Sequence, residues 1–228
     1  MTTLTAEEFK ERLKTTHDVA NALVKEPITI DFRDGGSFTG DFTIRNCDLK
    51  ALRIADSQFT SLTIQKGIIR DLTLQTNAQI QRVIINRCAI TTLTTTETLI
   101  EEFQYHAGVV KTTFTGQFPH LGKLTLSGVM KSIALLNPAC SEVNLTNLQA
   151  TELRMQAMMG TSLHCKNVTC NKISLDYGSG CFENLTCENI ISKDLQIITE
   201  HVRALKYSGT IKSLSMTTVP EPVPEPVP

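Results

Sequence analysis

A hydrophobic residue recurs about every ten positions between Phe42 and Leu214. Twelve of the seventeen intervals between these anchors are ten residues long, and the others are nine, eleven or twelve. The anchors are Phe42, Leu52, Leu62, Leu72, Val83, Leu93, Phe103, Phe114, Leu124, Ile133, Val143, Leu153, Leu163, Ile173, Leu185, Leu195, Leu205 and Leu214. A fixed short period is typical of repeat architectures, in which each unit packs only on its neighbours. The period therefore predicts a solenoid.

Each ten-residue unit carries two pairs of apolar or small residues. An apolar residue usually follows the anchor by two positions, as at Ile54 and Ile64, and another precedes it by three, as at Leu49 and Phe59. In the first half of the chain a small residue precedes the anchor by five positions: Cys47, Ser57, Gly67, Ala78, Cys88 and Thr98. Period-two alternation predicts strands with one buried face, and the unit is too short to include a crossover helix. We therefore expect parallel strands stacked around a coil.

The units Cys47-Asp48-Leu49 and Ser57-Gln58-Phe59 resemble those of the pentapeptide-repeat family, and the resemblance covers roughly residues 37–216. It implies an all-β solenoid, a right-handed parallel β-helix built from ten-residue units that are paired pentapeptides. About nine coils spaced about 4.8 Å apart would form a rod roughly 40–45 Å long.

A leucine-rich repeat is the alternative fold, because Leu49, Leu52, Ile54 and Phe59 imitate its signature. Such repeats run 20–29 residues and have a variable convex half. Here both halves of each 20-residue stretch carry the same strand pattern, and only Asn77 stands at the asparagine-ladder position of that signature. The pattern therefore favours the β-helix.

The N-terminal residues 1–27 are predicted to form a short helical cap. Thr5 and Glu8 have the spacing of a capping box, which begins a helix. A second short helix is expected around Asp18–Lys25, with Pro27 ending the helical part and Ile28–Phe32 forming the first strand. The cap would cover strand edges that otherwise invite end-to-end association, and a homodimer through the coil ends is a possible assembly.

Residues 217–228 are predicted to be a proline-rich tail that follows a β-helix domain of residues 28–216. Every second residue from Pro220 to Pro228 is proline, which leaves few backbone donors and restricts the tail to extended or disordered conformations. Pro222, Val223 and Pro224 are candidate residues for docking to a groove-binding partner. A solvated tail or a steric end-block is the alternative interpretation.

Charge and composition exclude several classes of partner. The chain has 23 acidic and 22 basic side chains, and this balance predicts no direct binding to nucleic acid or to an anionic membrane. The sequence shows no secretory, transit or transmembrane pattern, so we expect a soluble, cytoplasmic protein. DNA mimicry, which the pentapeptide resemblance raises, requires an acidic surface that this composition does not supply.

The chain has seven cysteines, and most of them are expected to be buried free thiols in a reducing compartment. Cys165 and Cys187 occupy equivalent places one coil apart, and Cys170 lies close in sequence. These three are weak candidates for a zinc or redox site, because the Cys-x-x-Cys spacing of structural zinc sites is absent and His164 should point outward. We predict no metal and no cofactor.

The sequence predicts a non-catalytic solenoid that presents flat faces to a protein partner. Arg53, Ile84 and Arg154 are the expected contact residues on those faces. One alternative is a pentapeptide-repeat-type mimic that inhibits a DNA-handling enzyme such as a type II topoisomerase. The other is a polysaccharide-binding or polysaccharide-cleaving β-helix, although the absence of Trp makes stacking platforms for sugars scarce.

Overall fold

The chain folds into a parallel β-solenoid of about nine turns with a short N-terminal helix, as predicted. The computed structural model describes residues 1–31, 40–55, 58–75, 79–136, 140–156, 162–177, 181–182, 184–199, 201–202 and 205–218. The elements are β1 (Thr2–Thr3), α1 (Ala6–Thr16), β2 (Asp18–Ala20), β3 (Ala22–Asp31), β4 (Asp41–Arg45), β5 (Asp48–Ala55), β6 (Gln58–Gln65), β7 (Ile68–Leu74), β8 (Gln79–Asn86), β9 (Ala89–Thr95), β10 (Leu99–Gln117), β11 (His120–Leu136), β12 (Cys140–Gln156), β13 (Ser162–Asp176), β14 (Cys181–Phe182), β15 (Asn184–Thr199), β16 (His201–Val202) and β17 (Leu205–Thr218).

Each coil contributes one strand to each of two faces. On the first face β2, β4, β6 and β8 pair in that order, and on the second face β1, β3, β5, β7 and β9 do so. From β10 onward one long strand serves both faces, since the first half of β10 pairs with β8 and its second half pairs with β9. All these pairs are parallel, so residues about twenty positions apart lie side by side.

The core is built from the two inward pairs of each ten-residue unit. In the unit that includes β5, Cys47, Leu49, Leu52 and Ile54 are all buried. Leu52 lies beside Leu72 in the next coil, and the same column continues along the rod. The five-residue spacing of buried pairs therefore agrees with the predicted inward positions, and burying such columns supplies the main stabilisation of the rod.

One corner of each coil has a residue with positive φ, which is a glycine in two coils, Gly128 with φ 114° and Gly209 with φ 131°, and is in the left-handed helical conformation in the others. The left-handed residues stand between the strands of the first and second faces: Asn21, Asn46, Lys66, Arg87, Ala107, Asn147, Asn167 and Asn189, with φ between 50° and 58°. Asparagine tolerates this conformation better than most residues. Neighbouring asparagine side chains bond to each other, with Asn46 Nδ2 2.6 Å from Asn21 Oδ1 and Asn167 Nδ2 2.9 Å from Asn147 Oδ1. These corner asparagines form a ladder along the rod.

The helical cap is shorter than the sequence predicts. The helix α1 begins at a complete capping box between Thr5 and Glu8 and packs Phe9 and Leu13 into the core. The second helix expected around Asp18–Lys25 is wrong, because β2 and the start of β3 occupy that segment. The apolar pattern of this segment suits a helix or a strand. The strand forms because its backbone groups bond to the next coil, where Val19 lies beside Ile44.

The two ends of the described solenoid differ. At the N-terminal end Phe9 and Leu13 are fully covered. In β17, by contrast, Tyr207, Leu214 and Met216 are 57%, 43% and 46% exposed. Among the described strands β17 pairs only with β15, so its outer edge has no strand partner there and lies beside exposed apolar side chains.

Candidate functional site

Outward side chains form columns along the rod, because each coil repeats the same positions. On the first face most charges in these columns are paired between neighbouring coils. Arg82 Nε lies 2.7 Å from Glu102 Oε2, and Lys123 Nζ lies 3.1 Å from Glu142 Oε2. The charged surface of the first face is therefore largely neutralised by its own neighbours.

The second face has a column of cations that lack such partners. Seven cations stand at one outward position, three or four residues after the positive-φ residue at the corner: Lys25, Lys50, Arg70, Lys111, Lys131, Lys193 and Lys212. None of them forms an ion pair with another described residue. The neighbouring outward column carries Glu152, Lys172 and Asp194, which lie side by side with alternating charge. The cation column therefore keeps its positive charge available to a ligand.

An apolar column runs parallel to the cations, two residues earlier in each coil. Its exposed members are Ile68, Val109, Val129 and Ile191, which are 50%, 41%, 46% and 51% exposed. Val109 lies beside Val129, and the column continues through Gln149 and Thr169 to Ile191. Aliphatic side chains at this exposure, repeated in line, mark a surface suited to contact with another molecule.

The two columns enclose a groove of about 500 Å³, which we call the lysine groove. The wall on the side of the apolar column combines the aliphatic Val109, Val129 and Ile191 with the polar Gln149, Thr169 and Thr210. The wall on the side of the cation column carries Lys111, Lys131, Lys193 and Lys212, with the neutral Thr151 and Asn171 in its two middle coils. The floor of the groove is Val110, Met130, Ala150, Cys170 and Ser192. The groove crosses six coils, or five steps of about 4.8 Å, and is therefore about 24 Å long.

The polar atoms of the floor are already used within the solenoid. Cys170 Sγ lies 3.0 Å from the carbonyl oxygen of Lys172, and Ser192 Oγ donates to the carbonyl oxygen of Asp194 at 2.8 Å. Burial raises the pKa of Cys170 to about 11, so its thiol stays protonated at neutral pH. Ligand contacts in this groove must therefore come from its walls.

The three residues that the sequence predicts as partner contacts, Arg53, Ile84 and Arg154, lie at different places on the solenoid. Arg53 and Arg154 are exposed and lie in one column of the second face, five coils apart. Ile84 is partly buried on the first face, between Thr63 and Gln104. The tail residues Pro222, Val223 and Pro224 lie outside the described residues. The three face residues therefore form no common site.

The candidate metal ligands Cys165, Cys170 and Cys187 are buried free thiols. Cys165 and Cys187 lie side by side in neighbouring coils, and both are buried, as is Cys170, whereas His164 is exposed. A hydrogen bond with the Cys187 thiol and burial both raise the pKa of Cys165. In the described part of the chain no group of three or more His, Cys, Asp or Glu side chains is placed to hold a metal ion.

A second depression, of about 630 Å³, brings together Asp41, Glu101 and Glu102 on the first face. Each carboxylate is engaged: Asp41 accepts from Ser61 Oγ, Glu101 pairs with His120, and Glu102 pairs with Arg82. The pKa of Glu102 is lowered by hydrogen bonds from Gln104 and Arg82, which outweigh the opposing effect of burial. Because Glu102 is ionised at neutral pH, it does not suit the role of proton donor in glycoside hydrolysis.

Comparison of the chain with protein-family profiles, with characterised proteins and with solved structures found no match. Among the described residues, no helix has the length and apolar character needed to cross a membrane. The fold and its surface therefore define a parallel β-solenoid with a basic, partly apolar groove on its second face.

The lysine groove was missed by the sequence analysis, although its signal is present in the sequence. One outward position of the 20-residue coil carries Lys111, Lys131, Lys193 and Lys212. When the sequence is aligned by its ten-residue period, this position falls in the same line as a different outward position of the coil, and the row of lysines is hidden. Aligning the sequence by whole coils, from one left-handed corner to the next, would have shown the cations in line.

Proposed function

We propose that this chain is a non-catalytic binding solenoid that holds an extended segment of a protein partner in the lysine groove. The observation that carries the proposal is the line of unpaired cations beside a line of exposed aliphatic side chains. Unpaired lysines attract and orient an acidic partner, and the aliphatic wall gains free energy when it is covered. Among the described residues the first face lacks this combination, because most of its charges are paired between neighbouring coils.

A comparative pull-down tests the proposed function. The protein and its Lys131→Glu/Lys193→Glu variant are used to capture proteins from native lysate, and captured proteins are quantified by mass spectrometry. We expect at least one partner to fall about tenfold or more with the groove variant, since two attractive contacts become repulsive. A Lys66→Glu/Lys206→Glu variant makes the same change in net charge at exposed lysines outside the cation column and should keep the partner. Equal capture by all three proteins would contradict the proposal.

Binding of an acidic polysaccharide is the second candidate, and the same cation column favours it. Its weakness is that none of the described residues lining the groove is aromatic, whereas sugar sites usually offer a stacking surface. Groove-dependent binding of polygalacturonate without a protein partner would favour this candidate. The alternative function, mimicry of a nucleic acid, requires an acidic face. The unpaired cations of the lysine groove do not support that function.

We also infer a pentapeptide-type repeat unit and a reducing compartment, each from one observation. Buried pairs at five-residue spacing, such as Cys47 with Leu49 and Leu52 with Ile54, support a pentapeptide-type unit. The six cysteines whose side chains are described are free, which suits a reducing compartment such as the cytoplasm.

A further inference from the structure

The lysine groove limits the conformation of its ligand. It is straight, about 24 Å long, and its backbone groups are already bonded between coils. A ligand that needed backbone hydrogen bonds would find few partners there. A polyproline II segment needs none and rises about 3.1 Å per residue, so about eight residues would fill the groove.

The groove also sets the chemistry of its ligand. Lys131 and Lys193 are three coils apart, or about 14 Å, and so are Val129 and Ile191 on the opposite wall. The matching ligand carries carboxylates and small aliphatic side chains at intervals of about that length. Its carboxylates would meet the unpaired cations.

One segment of this chain has these properties. Residues 219–228 read Val-Pro-Glu-Pro-Val-Pro-Glu-Pro-Val-Pro, with Glu221 and Glu225 four positions apart. Four residues of polyproline II span about 12 Å, which is within the reach of lysine side chains about 14 Å apart. They also make about one and a third turns, so Glu221 and Glu225 project about 120° apart around the segment. The same spacing separates Val223 from Val227. The segment therefore complements the groove in charge and in length, and the long lysine side chains reach around it to meet both carboxylates.

The same molecule's segment is poorly placed to fill its own groove. Lys212 and Thr218 are six residues apart along β17, or about 20 Å of strand. Ten residues of polyproline II extend about 31 Å, so after returning to the groove only about 11 Å, three or four residues, would remain to occupy it. A second molecule has no such restriction.

We propose that the lysine groove binds residues 219–228 of a second copy of this chain. This inference rests on the groove being the binding site proposed above, and it names the partner. The contact joins the groove of one molecule to residues 219–228 of another. Two molecules that each bind the other's segment form a closed dimer, whereas molecules that bind in one direction form a longer assembly.

Sedimentation of the full-length protein over a range of concentrations tests the inference through reciprocal charge reversal. We expect the protein to self-associate as its concentration rises. Lys131→Glu/Lys193→Glu should weaken self-association at least about tenfold, and so should Glu221→Lys/Glu225→Lys. Combining all four changes should restore most of the loss, because the attraction is re-formed with opposite sign. The Lys66→Glu/Lys206→Glu variant should associate like the unchanged protein.

Two results would overturn the inference. A protein that stays monomeric to about 200 µM would exclude useful affinity for a second copy. Self-association that survives both charge reversals would place the contact elsewhere, with the exposed edge of β17 as the next surface to test. If either result came with groove-dependent capture of a different protein, this inference would fail while the proposed function stood. Circular dichroism of each variant confirms that the fold is kept.

Discussion

Thr95 places a hydroxyl group inside the solenoid core. Its side chain is 1% exposed, between Leu74 and Gly116 of the neighbouring coils, and its Oγ1 has no hydrogen-bond partner among the described residues. A buried hydroxyl without a partner loses its bonds to water and gains none in return.

Replacing Thr95 with valine should therefore stabilise the protein. Thr95→Val exchanges the hydroxyl for a methyl group of similar size, and we expect the free energy of unfolding to rise by about 1 kcal/mol. Urea unfolding followed by circular dichroism measures the change. Thr94→Val alters the adjacent, outward-facing threonine and should shift the value by less than about 0.5 kcal/mol. A loss of stability in Thr95→Val would show that the hydroxyl has a partner.

At the scale of the structural element, the corner ladder links coils that are otherwise joined by strand pairing. Asn167 donates to Asn147 and accepts from Asn189, each at 2.9 Å, while its own φ is 54°. Lys66, Arg87 and Ala107 occupy the same corner in other coils. The corner thus forms without asparagine, and the ladder adds stability where asparagine is present.

Asn167→Ala should lower the free energy of unfolding by about 1–2 kcal/mol, because it removes both bonds and leaves a side chain that disfavours the left-handed conformation. Asn167→Gly removes the same bonds but tolerates the conformation, so it should lose less than the alanine variant. Urea unfolding of the two variants separates the bonds from the backbone preference. Equal stability of both variants and the unchanged protein would mean that the ladder contributes nothing.

The sequence predicts the solenoid and its inward positions because the buried residues, such as Leu52 and Leu72, recur with a short, regular period that can be read directly along the chain. It fails at Asp18–Lys25, where the strand is selected by the neighbouring coil and not by local preference. It also fails at the left-handed corners, since Lys66 and Arg87 carry no local sign of that conformation. The lysine groove depends on which residues become neighbours after coiling, so it emerges only when the coil boundaries are known.

At the scale of the whole molecule, the solenoid is covered at one end and exposed at the other. We expect the amides of β17 to exchange with solvent at least about tenfold faster than those of β12 in the middle of the rod. The reason is that β17 has one neighbour among the described strands and exposed apolar side chains. Hydrogen exchange followed by mass spectrometry at low protein concentration measures this difference. Equal protection of β17 and β12 would show that the exposed edge is covered in solution.

The left-handed corners also determine how the length of this chain can change. Removing residues 148–167 would join Asn147 directly to Val168, which already occupies the place of Leu148 one coil later. The result would be a shorter rod with intact corners, in which Lys131 and Lys193 stand two coils apart and not three. Each such step alters the groove by about 4.8 Å, or about one and a half residues of an extended ligand. Gain or loss of whole coils would therefore select among ligands by their charge spacing, without any substitution in the groove.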